Sequence, residues 1–300
     1  MPLSKSSLQH LTTEYGDRLV ALQEQEAKAM VTLPADVAEG EAWRAIPDPD
    51  SEQMAVAMDG GMVNIRDEGW KEVKVVAVSA VEISAEGGEE PTVSLNRTSY
   101  RAGLWEAARF ANHQWAESCR RGVEKAKRVV CVSDGAPWIW AIVAMCYVPR
   151  CIEILDWWHA VEKLWEIAFS LWSPEDQQSH QWTEEQKSRL WGGDLRHIFR
   201  SLRSLCPRGQ PLPDKIRLGI GYLFHHRRRM RYPQFRHAGC PIGSGSVESA
   251  CKVVVQERMK QAGMRWSRVG AQAMLALRSV LLGERWQEVW PSLEPPPKLA

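Results

Sequence analysis

The chain has 300 residues, of which 44% are hydrophobic and 25% are charged. These proportions are ordinary for a globular protein and exclude a mostly disordered or collagen-like chain. The formal net charge of +1 conceals an asymmetry, because residues 1–53 carry −6, residues 54–180 carry −5 and residues 181–300 carry +12. So basic a C-terminal part predicts an anionic partner.

The N-terminal residues predict a cytoplasmic protein. Residues 1–11 lack the apolar run of a signal peptide, and no run of eighteen apolar residues exists to span a membrane. The seven cysteines are scattered and none has C-x-x-C spacing. This usage is typical of reduced thiols rather than of a disulfide framework or a structural zinc site.

Residues 1–53 predict one amphipathic helix over 6–30, followed by an acidic linker over 34–53. The helix has an apolar face, yet this segment contains nothing on which that face can pack. Residues 54–172 predict the order β-β-β-α-β-α-β-α, beginning with a hairpin whose first strand is central in the sheet. The predicted strands are 54–65, 70–83, 91–98, 128–133 and 150–155, and the predicted helices are 100–121, 136–147 and a helix from 157.

The remaining residues predict helices. Residues 173–237 are helix-compatible and basic, with breaks at 207–213, and residues 239–245 form a loop. Two further helices are predicted over 246–261 and 267–282, and the proline-rich tail is predicted to be disordered.

Three carboxylates stand at positions suited to chemistry. Asp59 lies in or just after the first strand and precedes two glycines, Asp134 follows a parallel strand, and Glu248 lies near a helix start. In open α/β sheets, ligands bind beyond the carboxyl ends of the strands, and Mg²⁺ prefers carboxylate oxygens. Taken singly, Asp59 is also compatible with a turn, Asp134 with a helix cap and Glu248 with a favourable helix dipole.

Five short motifs carry a resemblance to a known family. They are Met58–Met62 (MDGGM), Val132–Ala136 (VSDGA), Ile154–Ala160 (ILDWWHA), Ile242–Cys251 (IGSGSVESAC) and Met264–Ala273 (MRWSRVGAQA). Across residues 50–290 the chain resembles the DDE-type transposases of bacterial insertion sequences, most of all the ISKra-type group with its Mutator-like relatives.

The resemblance implies an α/β fold with an RNase H-like core, namely a mixed five-stranded sheet flanked by helices, and an all-α insertion before the last core helix. The corresponding segments are an N-terminal helix and linker (1–53), the first part of the core (54–160), the insertion (161–240), the last core helices (241–290) and a disordered tail (291–300). Full-length relatives also carry an N-terminal DNA-binding region, and residues 1–50 are too short and acidic for one.

The same resemblance implies that Asp59, Asp134 and Glu248 hold two Mg²⁺ or Mn²⁺ ions. The implied activity is cleavage of DNA at transposon ends, followed by transfer of the 3′-hydroxyl into target DNA, by a homo-oligomer assembled on DNA. Two alternatives stay open. One is an RNase H-like nuclease without strand transfer, and the other is a truncated, inactive remnant that binds DNA.

Asp156 and His159 match a C/D-x-x-H signature of the wider family. Residues three apart on a helix share one face, so the two side chains are expected to bond each other. The functional interpretation is an auxiliary pair that orders the site, and the alternative is a helix cap beside a satisfied histidine. A zinc site that adds Cys151 is disfavoured, because hard and soft ligands are mixed and no fourth ligand is evident.

Basic side chains near the C-terminus predict contacts with DNA phosphates, since phosphate neutralisation dominates DNA binding. The candidates are Arg196, Arg200, Arg203, Arg227, Arg228, Arg229, Arg231, Lys252 and Arg265. A solvated helix face is the alternative. Of the 15 tryptophans, six lie in apolar helical stripes, whereas Trp182 and Trp191 lie in the polar insertion, where base stacking and simple packing are both open.

Overall fold

The computed structural model describes residues 4–31, 46–84, 90–205 and 213–293. In this part of the chain five strands form one mixed sheet in the order β3-β2-β1-β4-β5. Their bounds are β1 Gln53–Ile65, β2 Gly69–Ser84, β3 Thr92–Gly103, β4 Arg128–Ser133 and β5 Cys151–Leu155. The three N-terminal strands pair antiparallel, whereas β1–β4 and β4–β5 pair parallel. The prediction that the first strand is central is confirmed.

Helices flank this sheet, so the expected mixed α/β class is confirmed. The first eight are α1 Lys5–Val31, α2 Ala107–Arg120, α3 Pro137–Cys146, α4 Trp157–Leu171, α5 Gln177–Trp191, α6 Leu195–Ser204, α7 Asp214–His226 and α8 Tyr232–His237. The helix α9 joins Gly245–Ala250, a π-helical stretch Cys251–Gln256 and Glu257–Met259, and is followed by α10 Arg268–Leu282 and α11 Trp286–Val289. Short 3₁₀ segments cover Val123–Lys125, Arg227–Met230 and Trp290–Ser292.

The two faces of the sheet bury different helices. On one face, side chains such as Val56 and Val78 pack against α2 and α3. On the other face, Val75 and Ala77 pack against α9 and α10. Because successive side chains of a strand point to opposite faces, a nearly continuous apolar strand such as β2 serves both layers.

The predicted helix over 100–121 is wrong at its start. Residues 100–103 continue β3, with Tyr100 opposite Ala77 and Gly103 opposite Lys74, and α2 begins at Ala107. The strand ends at Gly103, where a Cβ atom would lie 2.5 Å from the Trp105 ring. The apolar residues from 104 onward repeat at helical spacing, and that pattern obscured the end of the strand.

The expectation that the N-terminal helix has nothing to pack on is also wrong, because α1 packs on the core itself. Leu19 is fully buried in a cluster with Ala276 and Val280 of α10. At Gly16 the two helices approach so closely that a Cβ atom would lie 2.5 Å from that of Ala273. Glu26 of α1 pairs with Arg285 at 3.0 Å, next to a buried network that joins Arg101, Glu117 and Arg285.

Several sequence predictions fall outside the described residues. These are most of the linker (32–45), the breaks at 206–212 with Cys206, and the tail from 294. The tail expected from residue 291 differs at its start, because Leu293 is buried beside Leu19. None of the helices in the described ranges is both long and apolar enough to cross a membrane.

Candidate functional site

Two of the predicted carboxylates lie side by side where the pairing of β1 with β4 ends, Asp59 within β1 and Asp134 just after β4. Val56 of β1 is level with Cys131 of β4 in a parallel pair, so Asp59 and Asp134, each three residues further on, emerge together at the carboxyl edge. The backbone N–H of Met58 donates to Ser133 Oγ at 2.9 Å and fixes the two strand ends to each other.

Asp59 is half-buried at this edge. Its Oδ1 accepts a hydrogen bond from the Gly60 N–H at 2.6 Å. Burial raises the pKa of Asp59, and the negative charge of Asp134 acts in the same direction. Hydrogen bonds from Gly60 and from the Cys251 thiol, together with the charge of His159, oppose this rise. Burial, the largest cause of the raised pKa, disfavours the charged carboxylate, and a bound cation would favour it.

Asp134 begins the turn that leads into α3. Its Oδ1 accepts from the Ala136 N–H at 2.9 Å, and its carbonyl accepts from Trp140 Nε1 at 2.8 Å. The helix-cap interpretation is wrong, because the N-cap residue of α3 is Ala136 and no side chain caps the helix. The hydrogen bond from the Ala136 N–H belongs to the turn before the helix. It does not compete with a ligand role, since a carboxylate offers further acceptor positions.

Glu248 comes to the site from the first turn of α9. Its side chain is exposed, and Oε1 accepts from Ser244 Oγ at 3.2 Å. One turn later on the same helix face lies Cys251, a buried thiol. Burial raises the pKa of Cys251, and the charges of Asp59, Glu248 and Asp134 raise it further. The charges of all three carboxylates therefore act on one thiol, although they come from three separate parts of the chain.

Asp156 and His159 form the facing pair expected from their spacing. Asp156, fully buried at the end of β5, accepts from the His159 backbone N–H at 2.8 Å and is 3.0 Å from its ring Nδ1. Its second oxygen accepts from the Ser244 N–H at 2.5 Å. Burial acts to raise the pKa of Asp156, but the hydrogen bonds from His159 and Ser244 outweigh it, and the net shift is downward.

The hydrogen bond to Asp156 raises the pKa of His159 to about 9, with the charges of Asp156 and Asp134 adding to the effect. The ring is therefore a cation at neutral pH. Asp156 also ties the start of α4 to Ser244, which caps the turn bearing Glu248. Both interpretations of this pair, a helix cap and a group that orders the site, describe real contacts.

The donor atoms fit hard divalent cations. Asp59, Asp134 and Glu248 supply carboxylate oxygens, and a bound cation would offset the burial and the charge of Asp134 that raise the pKa of Asp59. Ligand atoms of Asp156, His159 and Glu248 also lie within 4.8 Å of one another. In the alternative zinc set, Cys151 lies at the opposite end of β5 from Asp156, roughly 16 Å away for five residues of extended strand. That set is not brought together.

Three residues at the site carried no chemical interpretation in the sequence. Cys251 and Ser244 lie inside the motif around Glu248, so the motif was the available signal. Tyr222, on α7 of the helical segment, had none. Burial raises the pKa of Tyr222, and so do the charges of Asp134 and Asp156. Its place beside Asp134 follows from tertiary packing alone.

The predicted DNA-contacting residues divide into two groups. Most are exposed, namely Arg196, Arg200, Arg203, Arg227, Arg228, Arg231, Lys252 and Arg265. Arg229 is different, because it pairs with Glu153 at 2.5 Å and lies 3.9 Å above the Trp140 ring. Its guanidinium serves packing between the 3₁₀ segment and the sheet.

The two tryptophans of the insertion have different surroundings. Trp182 packs in the core of the helical segment and donates to Ser201 Oγ at 3.0 Å. Trp191 is 45% exposed, with the Arg236 guanidinium 3.6 Å from its ring centre. Packing therefore accounts for Trp182, whereas Trp191 keeps an accessible face.

Comparison with known proteins assigns neither a family nor a function to this chain. Neither a protein-family model nor a curated protein matches the chain.

Proposed function

We propose that this chain is the catalytic domain of a DDE-type transposase with an RNase H-like core. The observation that carries the proposal is the parallel register of β1 and β4, which places Asp59 and Asp134 side by side in a mixed five-stranded sheet. The charge of Glu248 acts on the same thiol, Cys251, as the charges of these two aspartates. The sheet order and the flanking helices are compatible with an RNase H-like fold. The helices between residues 161 and 240 correspond to the proposed insertion.

In this proposal the carboxylates are ligands, and no side chain is a covalent nucleophile. Two Mg²⁺ or Mn²⁺ ions at the site would supply Lewis-acid activation of a water molecule and of the scissile phosphate. Asp59 and Asp134 present their oxygens from the rigid sheet edge. Asp156 fixes Ser244 and thereby the helical turn that bears Glu248.

The overall reaction is two phosphoryl transfers. Hydrolysis breaks a phosphodiester bond at the element end and leaves a 3′-hydroxyl and a 5′-phosphate. That hydroxyl then attacks a phosphodiester of target DNA, forming one bond and releasing one target 3′-hydroxyl. The exposed basic residues on α6, around residue 228 and on α9 would hold the DNA phosphates. Assembly of a homo-oligomer on DNA in the cytoplasm belongs to the same proposal.

The first experiment replaces Glu248 by Gln, which keeps the side-chain shape and removes the charge. We expect Mg²⁺-dependent cleavage of DNA to fall by at least about 100-fold, because a ligand charge is lost, while DNA binding is unchanged. Glu257→Gln, an exposed carboxylate on the same helix, is the matched control and should retain cleavage. Cleavage by Glu248→Gln at the wild-type rate would contradict the metal-ligand assignment.

The second experiment separates a transposase from a nuclease. A labelled, pre-cleaved end oligonucleotide bearing a free 3′-hydroxyl is incubated with supercoiled target DNA and Mg²⁺. Joined product is expected from a transposase only, and cleavage without joining would indicate the nuclease alternative. DNA binding without either reaction would indicate the inactive remnant.

A further inference from the structure

A tyrosine from the helical segment reaches into the carboxylate site. Tyr222 lies on α7, 88 residues after Asp134, and its ring lies directly on Gly135. A Cβ atom at residue 135 would be 2.1 Å from Tyr222 Cε2 and 2.5 Å from its hydroxyl oxygen. The Gly135 position is therefore filled by a side chain from elsewhere, and a larger residue has no room there.

The other contacts of Tyr222 hold the ring in this place. The Lys163 ammonium of α4 lies 5.4 Å from the ring centre, and the His226 ring lies 4.7 Å away. The phenol group also interacts electrostatically with the Gly135 backbone N–H and with the charge of Asp134. The ring thus bridges α4, α7 and the Asp134 turn.

Apart from the Tyr222 ring, few contacts fix the turn at Asp134 and Gly135. Its fixed contacts are the Ala136 N–H on Asp134 Oδ1 and the Trp140 indole on the Asp134 carbonyl. Asp134 and Gly135 themselves are half-buried and lie between the end of β4 and the start of α3. If no side chain covered Gly135, one side of this turn would be exposed to solvent. The backbone at Gly135 could then adopt the wider range of conformations that glycine allows.

We propose that Tyr222 is a positioning residue for Asp134. Its ring packs on Gly135 and thereby holds the Asp134 carboxylate in its binding orientation. This inference rests on the proposed function, since it takes Asp134 as a metal ligand. It assigns to the helical segment a part in the metal site besides contact with DNA.

The test measures Mn²⁺ affinity by electron paramagnetic resonance on the full chain, without DNA. Tyr222→Ala is expected to weaken Mn²⁺ binding by about 10-fold, the lower end of what loss of a supporting residue costs a metal site. Tyr222→Phe keeps the ring and should stay close to wild type. Phe224→Ala is the matched control, because that aromatic of the same helix packs on Phe199 and Arg227 instead.

A double substitution tests the contact itself. Gly135→Ala alone should weaken Mn²⁺ binding, because its methyl group collides with the ring, and adding Tyr222→Ala should recover part of the loss. A purely global destabilisation would make the two losses add instead. Additive losses, or Tyr222→Ala with wild-type affinity, would overturn the inference.

A readout independent of metal distinguishes this failure from failure of the proposed function. Amide hydrogen exchange at Ala136 should accelerate by about 10-fold in Tyr222→Ala but not in Tyr222→Phe, since the turn opens locally. Absence of Mn²⁺ binding by the wild type would contradict the proposed function. Unchanged exchange in Tyr222→Ala would contradict the role of Tyr222.

Discussion

Two aspartates of the site show how local contacts set the behaviour of one residue type. Burial acts on both, yet the pKa of Asp59 is raised and the pKa of Asp156 is lowered. Asp156 accepts hydrogen bonds from a histidine ring and two backbone N–H groups, whereas Asp59 faces the like charge of Asp134. Hydrogen bonds therefore favour the charged form of Asp156, whereas burial, together with a smaller contribution from Asp134, disfavours the charged form of Asp59.

Asp156→Asn tests this division. Without the carboxylate charge, the pKa of His159 should fall from about 9 towards the ordinary value near 6.5, since the bond to Asp156 is the main cause of the rise. The measurement is an NMR titration of the His159 ring protons between pH 5 and 10. A His159 pKa that stays near 9 in the variant would show that another group holds the proton.

The three main carboxylates could be predicted from the sequence because each lies beside a local signal. Asp59 precedes two glycines within β1, Asp134 follows β4 and Glu248 opens a helix. The parallel register of β1 and β4 then brings the two aspartates together. Cys251 and Tyr222 could not be predicted as part of the site, because a thiol and a phenol on helices are ordinary core residues. Only the packing of α9 and α7 on the sheet edge gives them a role.

At the scale of elements, α1 is a structural part of the core. Leu19→Ala should lower the free energy of unfolding by about 3 kcal/mol, because a fully buried leucine leaves a cavity between α1 and α10. The measurement is urea unfolding followed by circular dichroism. Leu8→Ala, on the same helix but 50% exposed, is the control and should change stability little. Equal effects at both positions would contradict the docking of α1.

A buried histidine of α2 also predicts that the stability of the fold depends on pH. Burial lowers the pKa of His113 to about 4, and the ring stacks on Trp105 at 3.8 Å. In the unfolded chain the His113 imidazole takes up a proton near pH 6.5, whereas in the folded chain it stays neutral down to about pH 4. The contribution of the neutral, buried ring to folding stability is therefore complete above pH 6.5 and is lost as the pH falls towards 4. Between pH 6 and 5 His113 should lower the free energy of unfolding by about 1 kcal/mol per pH unit.

His113→Gln should remove that part of the acid-dependent loss, measured as unfolding free energies at pH 7, 6 and 5. Some slope should persist in the variant, since burial lowers the pKa of His226 to about 4 as well. An unchanged slope would indicate that His113 is protonated in the folded state.

Element boundaries were predictable where turn chemistry marks them and not elsewhere. The hairpin between β1 and β2 turns at Asp67 and Gly69, which have φ of 63° and 74°, and these residue types tolerate such angles. The end of β3 has no such mark, because Tyr100 and Ala102 fit a strand and a helix equally well. The pairing of β3 with β2 determines where the strand ends, and this pairing cannot be read from the sequence of β3 alone.

At the scale of the whole molecule, the basic C-terminal part offers exposed cations without acidic partners. Arg196, Arg200 and Arg203 lie on one exposed face of α6, and none forms an ion pair with a described carboxylate. If these three contact phosphates, the Arg→Ala triple variant should lower the slope of log affinity against log salt by about 3. The measurement is DNA binding by fluorescence anisotropy between 50 and 300 mM salt, concentrations of the order at which such slopes are resolved.

The control removes three exposed cations that already have partners. Arg97 pairs with Asp50, Lys127 with Glu52 and Arg150 with Glu124. Replacing these by Ala should leave the salt slope nearly unchanged. Equal losses in the two triple variants would mean that DNA binding follows net charge alone and not the α6 surface.

The chain order of the site has a consequence for synthesis. Asp59 and Asp134 are made early, whereas Glu248 and Cys251 follow Asp134 by more than a hundred residues. A ribosome adding about 5–20 residues per second needs several seconds to cover that interval. During this time the nascent chain presents two facing carboxylates without the third. Under the proposed function, the third metal-binding carboxylate therefore joins the other two only after the C-terminal helices have emerged and docked.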